Sequence, residues 1–233
     1  MHFFYLKLLF ALLFTSVVVL AQKSFSDLYK PGDKLYVYSR EGLSLREEAD
    51  PKGKLILVAS YGDEVTVVAD SKPRIAFTSS NIPGAWVKVK YHDLSGYLFN
   101  GFLSRLKPMP VTTPDTELEA FKMYLKDQFK LQKETKTPPA SMYVEYDKLE
   151  LANGVSYEHK IYEGGASITT KFPVTSFTFQ EVFLLARIAY PEFFTEKKCD
   201  YKVDQMECEL NESTSLALKK DGDFFVVLSG VAD

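Results

Sequence analysis

Between Asp33 and Leu106 the apolar positions come in short runs of period two, broken every few residues by turn formers. Leu35–Tyr38, Leu43–Arg46, Lys54–Val58 and Glu64–Val68 read as strands, and Ser60-Tyr61-Gly62-Asp63 turns between the last two. Ala85 to Tyr91 alternates, His92–Ser95 turns, and Gly96-Tyr97-Leu98 returns. Many short strands with turn residues at close spacing predict a small all-β barrel or sandwich.

After residue 115 the period changes. Thr113-Pro114 before Asp115, Glu117 and Glu119 has the chemistry of a helix start: an oxygen cap, Pro in the first turn, and acids at the positive end of the dipole. Leu118, Phe121, Leu125 and Phe129 then form one helical stripe, which should fade before Thr137-Pro138-Pro139. Strands are predicted from Met142 to Leu151, Val155 to Tyr162 and Ala166 to Phe172, with turns at Asn153-Gly154 and Gly164-Gly165. Thr178 and Glu181 have capping-box spacing and open a second helix, ended by Pro191. Four further runs, Cys199–Val203, Met206–Leu210, Ser215–Lys219 and Phe224–Leu228, are again extended. The expected second unit is α+β, with two helices on an antiparallel sheet. No fixed-period sequence repeat is found.

The stretch between the units, residues 107–116, holds three prolines in ten residues and reads as a linker. At the front, Lys7 precedes an apolar run from Leu8 to Leu20, then Ala21 meets Gln22. That order is a secretory signal with cleavage between Ala21 and Gln22, and the run is short for a membrane span. The expected organisation is a signal over 1–21, a β unit over 22–106, the linker, and an α+β unit over 117–233. Export without later membrane insertion follows, to the periplasm or the exterior.

The four-element order of the first unit resembles bacterial SH3-like (SH3b) domains. The matching segments are Gly42-Leu43-Ser44-Leu45-Arg46, Gly62-Asp63-Glu64-Val65-Thr66-Val67, Gly84-Ala85-Trp86-Val87-Lys88-Val89 and Gly96-Tyr97-Leu98, followed by Asn100-Gly101-Phe102-Leu103. An insertion from Asp70 to Pro83 lengthens the loop before the Trp strand. The resemblance implies a closed SH3-like barrel that binds cell-wall or envelope peptides, or other proteins, rather than one that catalyses. No family is recognised in residues 115–233.

Composition and charge narrow the chemistry. The 233-residue chain is 46% hydrophobic and 25% charged with net charge −3, which suits a packed globular protein and not a basic nucleic-acid binder. Residues 22–108 carry 13 Lys/Arg against 10 Asp/Glu, whereas 109–233 carry 14 against 21. In the Trp strand, Ala85, Val87, Val89 and Tyr91 share a core face, leaving Trp86, Lys88 and Lys90 on the other. That second face is either an aromatic and basic platform, or Trp86 is covered by the inserted loop or by the second unit. Tyr61, Tyr97 and Phe99 are candidates to join Trp86, Lys88 and Lys90 in a binding groove. Folding 199–210 on itself opposes Cys199 to Cys208 and Tyr201 to Met206, so the two cysteines are expected to form a disulfide. Spacing for a zinc, calcium or phosphate site is absent, and no cofactor is expected. An envelope hydrolase with its active site in residues 115–233, built on His159 or Cys199, is the alternative to a binding protein.

Overall fold

A computed structural model describes residues 28–80, 82–110, 117–137, 143–195, 199–202 and 204–232. The expected signal segment, with Ala21 and Gln22, lies outside the described residues, as do Thr113-Pro114 and the side chain of Leu118. The chain separates into two units, Met1–Pro108 and Met109–Asp233, and the division falls inside the proline-rich stretch. Both are built on antiparallel sheets, with few helices.

The first unit contains β1 (Lys34–Val37), β2 (Leu43–Arg46), β3 (Leu55–Ala59), β4 (Glu64–Val67), β5 (Ala76–Ser79), β6 (Ile82–Tyr91), β7 (Leu94–Phe99) and β8 (Leu103–Ser104). A single turn of 3-10 helix at Asn100–Phe102 joins the last two. The strand order is β3-β2-β7-β6-β4-β1-β8, with β5 beside the first half of β6. The face built from Leu35, Leu45, Val65, Val87, Val89 and Leu98 is buried throughout and forms the core.

Two expectations change here. The sheet is not a closed barrel, because its outer strands β3 and β8 do not pair with each other. β8 has only two residues, too few for a ladder, and β3 is bulged where Leu45 and Arg46 meet Leu57 and Leu55. The inserted segment 70–83 is also not simply a loop: its second half forms β5, which pairs with β6 from Ala76↔Ala85 to Ser79↔Ile82.

Gly84 is required at the crossing of β5, β6 and the 3-10 turn. A Cβ there would stand 2.6 Å from a ring carbon of Phe99 and 2.7 Å from the side-chain oxygen of Asn100. That oxygen is committed, accepting the Ala85 N–H at 2.7 Å in a fully buried position.

The second unit begins with α1 (Glu117–Gln128) and continues through β9 (Leu131–Thr135), β10 (Tyr143–Leu151), β11 (Ser156–Tyr162) and β12 (Gly165–Pro173). It then repeats the order: α2 (Phe179–Ala189) and the single turn α3 (Glu192–Thr195), followed by β13 (Cys199–Lys202), β14 (Gln205–Asn211), β15 (Thr214–Asp221) and β16 (Phe224–Ala232). The last strand of each half meets the other in the middle, giving β13-β14-β15-β16-β12-β11-β10-β9. The helix-plus-four-strands motif thus occurs twice in architecture, around the antiparallel pair β12 and β16, without a sequence repeat to announce it.

One buried row crosses this sheet through register partners: Leu149, Tyr157, Thr170, Val227, Leu218 and Met206. The helices cover that face. Phe121 of α1 packs edge-on against Tyr157 and Tyr190, and Phe129 against Phe172 and Phe177. α2 starts as expected, with the Thr178 hydroxyl accepting the Glu181 N–H and the Glu181 carboxylate accepting the Thr178 N–H. The predicted stripe holds from Phe121 through Leu125 to Phe129, all buried; the helix ends at Gln128, and the chain then becomes the exposed edge strand β9, which the sequence reading did not anticipate.

The Cys199–Cys208 disulfide is formed, across the hairpin register that also opposes Tyr201 to Met206. Among the described residues no helix is long and apolar enough to cross a membrane.

Two outcomes test this packing. Gly84→Ala should lower unfolding free energy by about 1–3 kcal/mol, the usual cost of overpacking, read as a shifted urea midpoint. Cys199→Ser/Cys208→Ser should lose about 2–3 kcal/mol by loop-closure entropy in the same measurement, with the first unit's strand signals unchanged in NMR spectra.

Candidate functional site

β6 and β7 bring most of the predicted groove residues onto one face. Trp86 lies opposite Phe99, Lys88 opposite Tyr97 and Lys90 opposite Ser95. Trp86 is nevertheless only 5% exposed. Phe77, delivered by β5, sits 5.6 Å from the indole and 5.4 Å from Phe99, and Phe102 closes the cluster 5.8 Å from Phe99. Of the two possibilities for Trp86, the inserted segment covers it, so the indole is the floor of a site rather than an open platform.

Beside that floor lies a cleft of about 260 Å³. Trp86 and Tyr97 line its base, Glu48 to Asp50 of the β2–β3 turn line one side, and Asp70 to Ile75 line another. The predicted groove residues therefore divide. Trp86 and Tyr97 are in the cleft wall, and Phe99 supports the indole from within the aromatic cluster. Lys88 borders Tyr97 in the ladder, and Lys90 is exposed further along the strand. Tyr61 packs edge-on against Tyr38, 6.2 Å away, and burial pushes its hydroxyl up to about 12; it does not line the cleft.

The cleft's polar groups are positioned by short bonds. The Tyr97 hydroxyl donates to Asp70 at 2.7 Å, and the Lys72 backbone N–H donates to the other oxygen of the same carboxylate at 3.1 Å. The tyrosine bond chiefly holds the Asp70 carboxyl below the usual range, with smaller help from the Lys72 N–H and the Lys88 charge. Burial first, then the hydrogen bond to Asp70 and the charge of that carboxylate, pushes Tyr97 up to about 12. Arg74 is tethered across the segment by donating to the Tyr29 carbonyl at 2.5 Å. The Trp86 indole N–H is buried and finds no hydrogen-bond acceptor among the described residues. An unsatisfied buried donor costs about 1–3 kcal/mol.

Sequence reasoning missed the cleft's sides. Glu48, Ala49 and Asp50 fall between two predicted strands without a role of their own, and Asp70–Ile75 belong only to an insertion. The one available signal was the charge density of both segments, Glu47-Glu48-Ala49-Asp50 and Asp70-Ser71-Lys72-Pro73-Arg74, next to the Trp strand in the predicted fold.

In the second unit, His159 of β11 stands across the ladder from Asp147 of β10, which pairs with Lys122 of α1. Burial is the main cause holding the His159 imidazole below its ordinary value, and Lys122 adds to it against the carboxylates of Glu145 and Asp147. Cys199 is oxidised to the disulfide and offers no thiolate nucleophile to this histidine. Among the described residues no group of three or more His, Cys, Asp or Glu is placed to hold a metal ion.

No protein-family model, no curated protein and no solved structure matches the chain. The functional reading therefore rests on the cleft.

Tyr97→Phe should return the Asp70 carboxyl upward toward about 4, the ordinary carboxylate value, in a carboxyl-resolved NMR titration. The native Asp70 contribution is present above the ordinary range and disappears as pH falls through the lowered value. Wild type should accordingly lose more stability on acidification than Tyr97→Phe.

Proposed function

We propose that the chain is an exported, non-catalytic binding protein of the bacterial cell envelope. Its first unit is an SH3-like (SH3b) module that holds an extended peptide of the cell wall or of an envelope protein. The observation that carries this reading is the cleft at Trp86 and Tyr97, with an aromatic floor and charged sides drawn from two chain segments. Such a site supplies apolar contact and a few charged groups at its rim, which is the usual economy of small-ligand recognition.

Further support comes from its position. The cleft lies over the Gly84–Val89 and Gly96–Leu98 segments, two of the four that carry the resemblance. The inserted segment, which departs from the family pattern, forms one of its sides, so ligand choice in this protein would be set by residues 70–75. The disulfide of the second unit suits an oxidising compartment and thus export. Several charged strand residues of the second unit lie on the sheet face away from the helices, as in the Lys160–Glu158 and Lys148–Glu150 ion pairs. Its role in the proposal is that of an accessory unit.

Binding to isolated peptidoglycan tests the proposal. The full-length exported chain should be retained on sedimented wall material. Ile75→Ser removes an exposed apolar side chain of the cleft wall and leaves the core intact, so it should weaken retention by about fivefold, the equivalent of roughly 1 kcal/mol of apolar contact. Retention no better than that of an unrelated acidic protein, on both wall material and extracted envelope proteins, would sink the reading.

A further inference from the structure

The turn between β14 and β15 carries a motif that the binding reading does not use, Glu209-Leu210-Asn211-Glu212-Ser213. Asn-x-Ser, with x other than proline, is the acceptor signal for N-linked glycosylation and belongs on an accessible surface segment. Bacterial transferases of this class also read an acid two residues before the asparagine, where Glu209 stands. The chain's other asparagines, Asn81, Asn100 and Asn153, have Pro83, Phe102 and Val155 in the place of the hydroxyl residue. Glu209, Asn211, Glu212 and Ser213 are all exposed. Glu209 is in register with Ser215 and Asn211 with Thr214, so Leu210 is an extra residue and the ladder is already irregular there. The adjoining Cys208 is tied to Cys199, so the pairing of β13 with β14 survives if these five residues leave the ladder.

Within the turn, Asn211 Oδ1 accepts the Ser213 N–H at 3.0 Å and the Ser213 hydroxyl at 3.3 Å. Both donors fall on the carbonyl oxygen, and neither engages Nδ2. They draw electron density out of the amide, which makes its N–H protons easier to lose. Resting on the export part of the reading above, we infer that Asn211 is a site of N-linked glycosylation, its donor an oligosaccharide carried on a polyprenyl pyrophosphate. Asn211 Nδ2 attacks the anomeric carbon of the first sugar. The N–C bond forms as the C–O bond to the pyrophosphate breaks, the displaced amide proton passes to a carboxylate of the transferase, and polyprenyl pyrophosphate leaves. Glu209 docks the segment on the transferase through a charge-assisted contact.

Transfer is tested on the purified full-length chain with a bacterial oligosaccharyltransferase and its lipid-linked donor, read as intact mass. The chain should gain the mass of one glycan, mapped to the peptide that holds Glu209–Ser213. Asn211→Gln and Ser213→Ala should abolish the gain, and Ser213→Thr should keep it. Glu209→Gln should slow it by about tenfold, as expected for the loss of one charge-assisted contact. The three positions are exposed, so these variants should melt with the wild type. No gain in mass, both with the disulfide intact and with it reduced, overturns the inference, and so does a gain that survives in Asn211→Gln. Expression in cells that carry the transferase and its donor separates the acceptor site from the export reading. A chain that is exported and stays unmodified overturns the acceptor site and leaves export standing. A chain that is modified in vitro and stays in the cytosol overturns export and leaves the acceptor site standing.

Discussion

The first unit turns on the ten-residue strand β6, which buries side chains on both of its faces. Alternation sends Val87 and Val89 into the core and must send Trp86 the opposite way. An indole is too large and apolar to leave against water at no cost, so the opposite face has to be roofed. Phe77 from β5 and Phe99 from β7 do this, and the inserted segment becomes part of the fold rather than a decoration on it. Covering a ring from one side leaves a border, and the cleft is that border. Asp70–Ile75 and the turn at Glu48–Asp50 approach the ring edge there without filling the space. The unsatisfied indole N–H follows from the same geometry, since the neighbours that cover Trp86 are hydrocarbon rings with no acceptor to offer.

The open sheet has the same origin. β6 gives its first half to β5 and its second half to β4, as in Thr66↔Lys90 and Val67↔Val89. The strand ends that would have to meet for closure are a two-residue β8 and a bulged β3. The edge left at β3 exposes Leu55 and Val58 by about half, and its bulge is a device that discourages pairing with another chain.

The second unit solves a different problem. Each helix-plus-four-strands half has one apolar sheet face and one apolar helix stripe. Joining the halves at β12 and β16 makes that face continuous, so Leu149, Tyr157, Thr170, Val227, Leu218 and Met206 form one row under both helices. The far end of the same face carries the Cys199–Cys208 pair, which closes the edge hairpin β13–β14 where the hydrophobic row ends. Lys122, Asp147 and His159 sit toward the other end, where α1 brings a charge to the sheet.

Local patterns in the chain were enough to determine the strands Leu43–Arg46 and Glu64–Val67, the capping box at Thr178 and Glu181, and the opposition of Cys199 to Cys208. Each of these depends on contacts within a few residues, where alternation, capping chemistry and hairpin register act directly. The core face of Val87 and Val89 was legible for the same reason. The tertiary structure alone decided that Trp86 is covered, that Tyr61 lies away from the cleft, that the first sheet stays open, and that β9 is a strand. Those outcomes depend on which distant segment reaches a given edge first. Phe77 carries no local mark that it will meet an indole nine positions later, and Leu131–Thr135 has strand character only because β10 offers it a ladder. The sides of the cleft belong to this second group, since Glu48 and Asp70 are twenty-two residues apart in the chain and become neighbours of one ring only once the strands between them have paired.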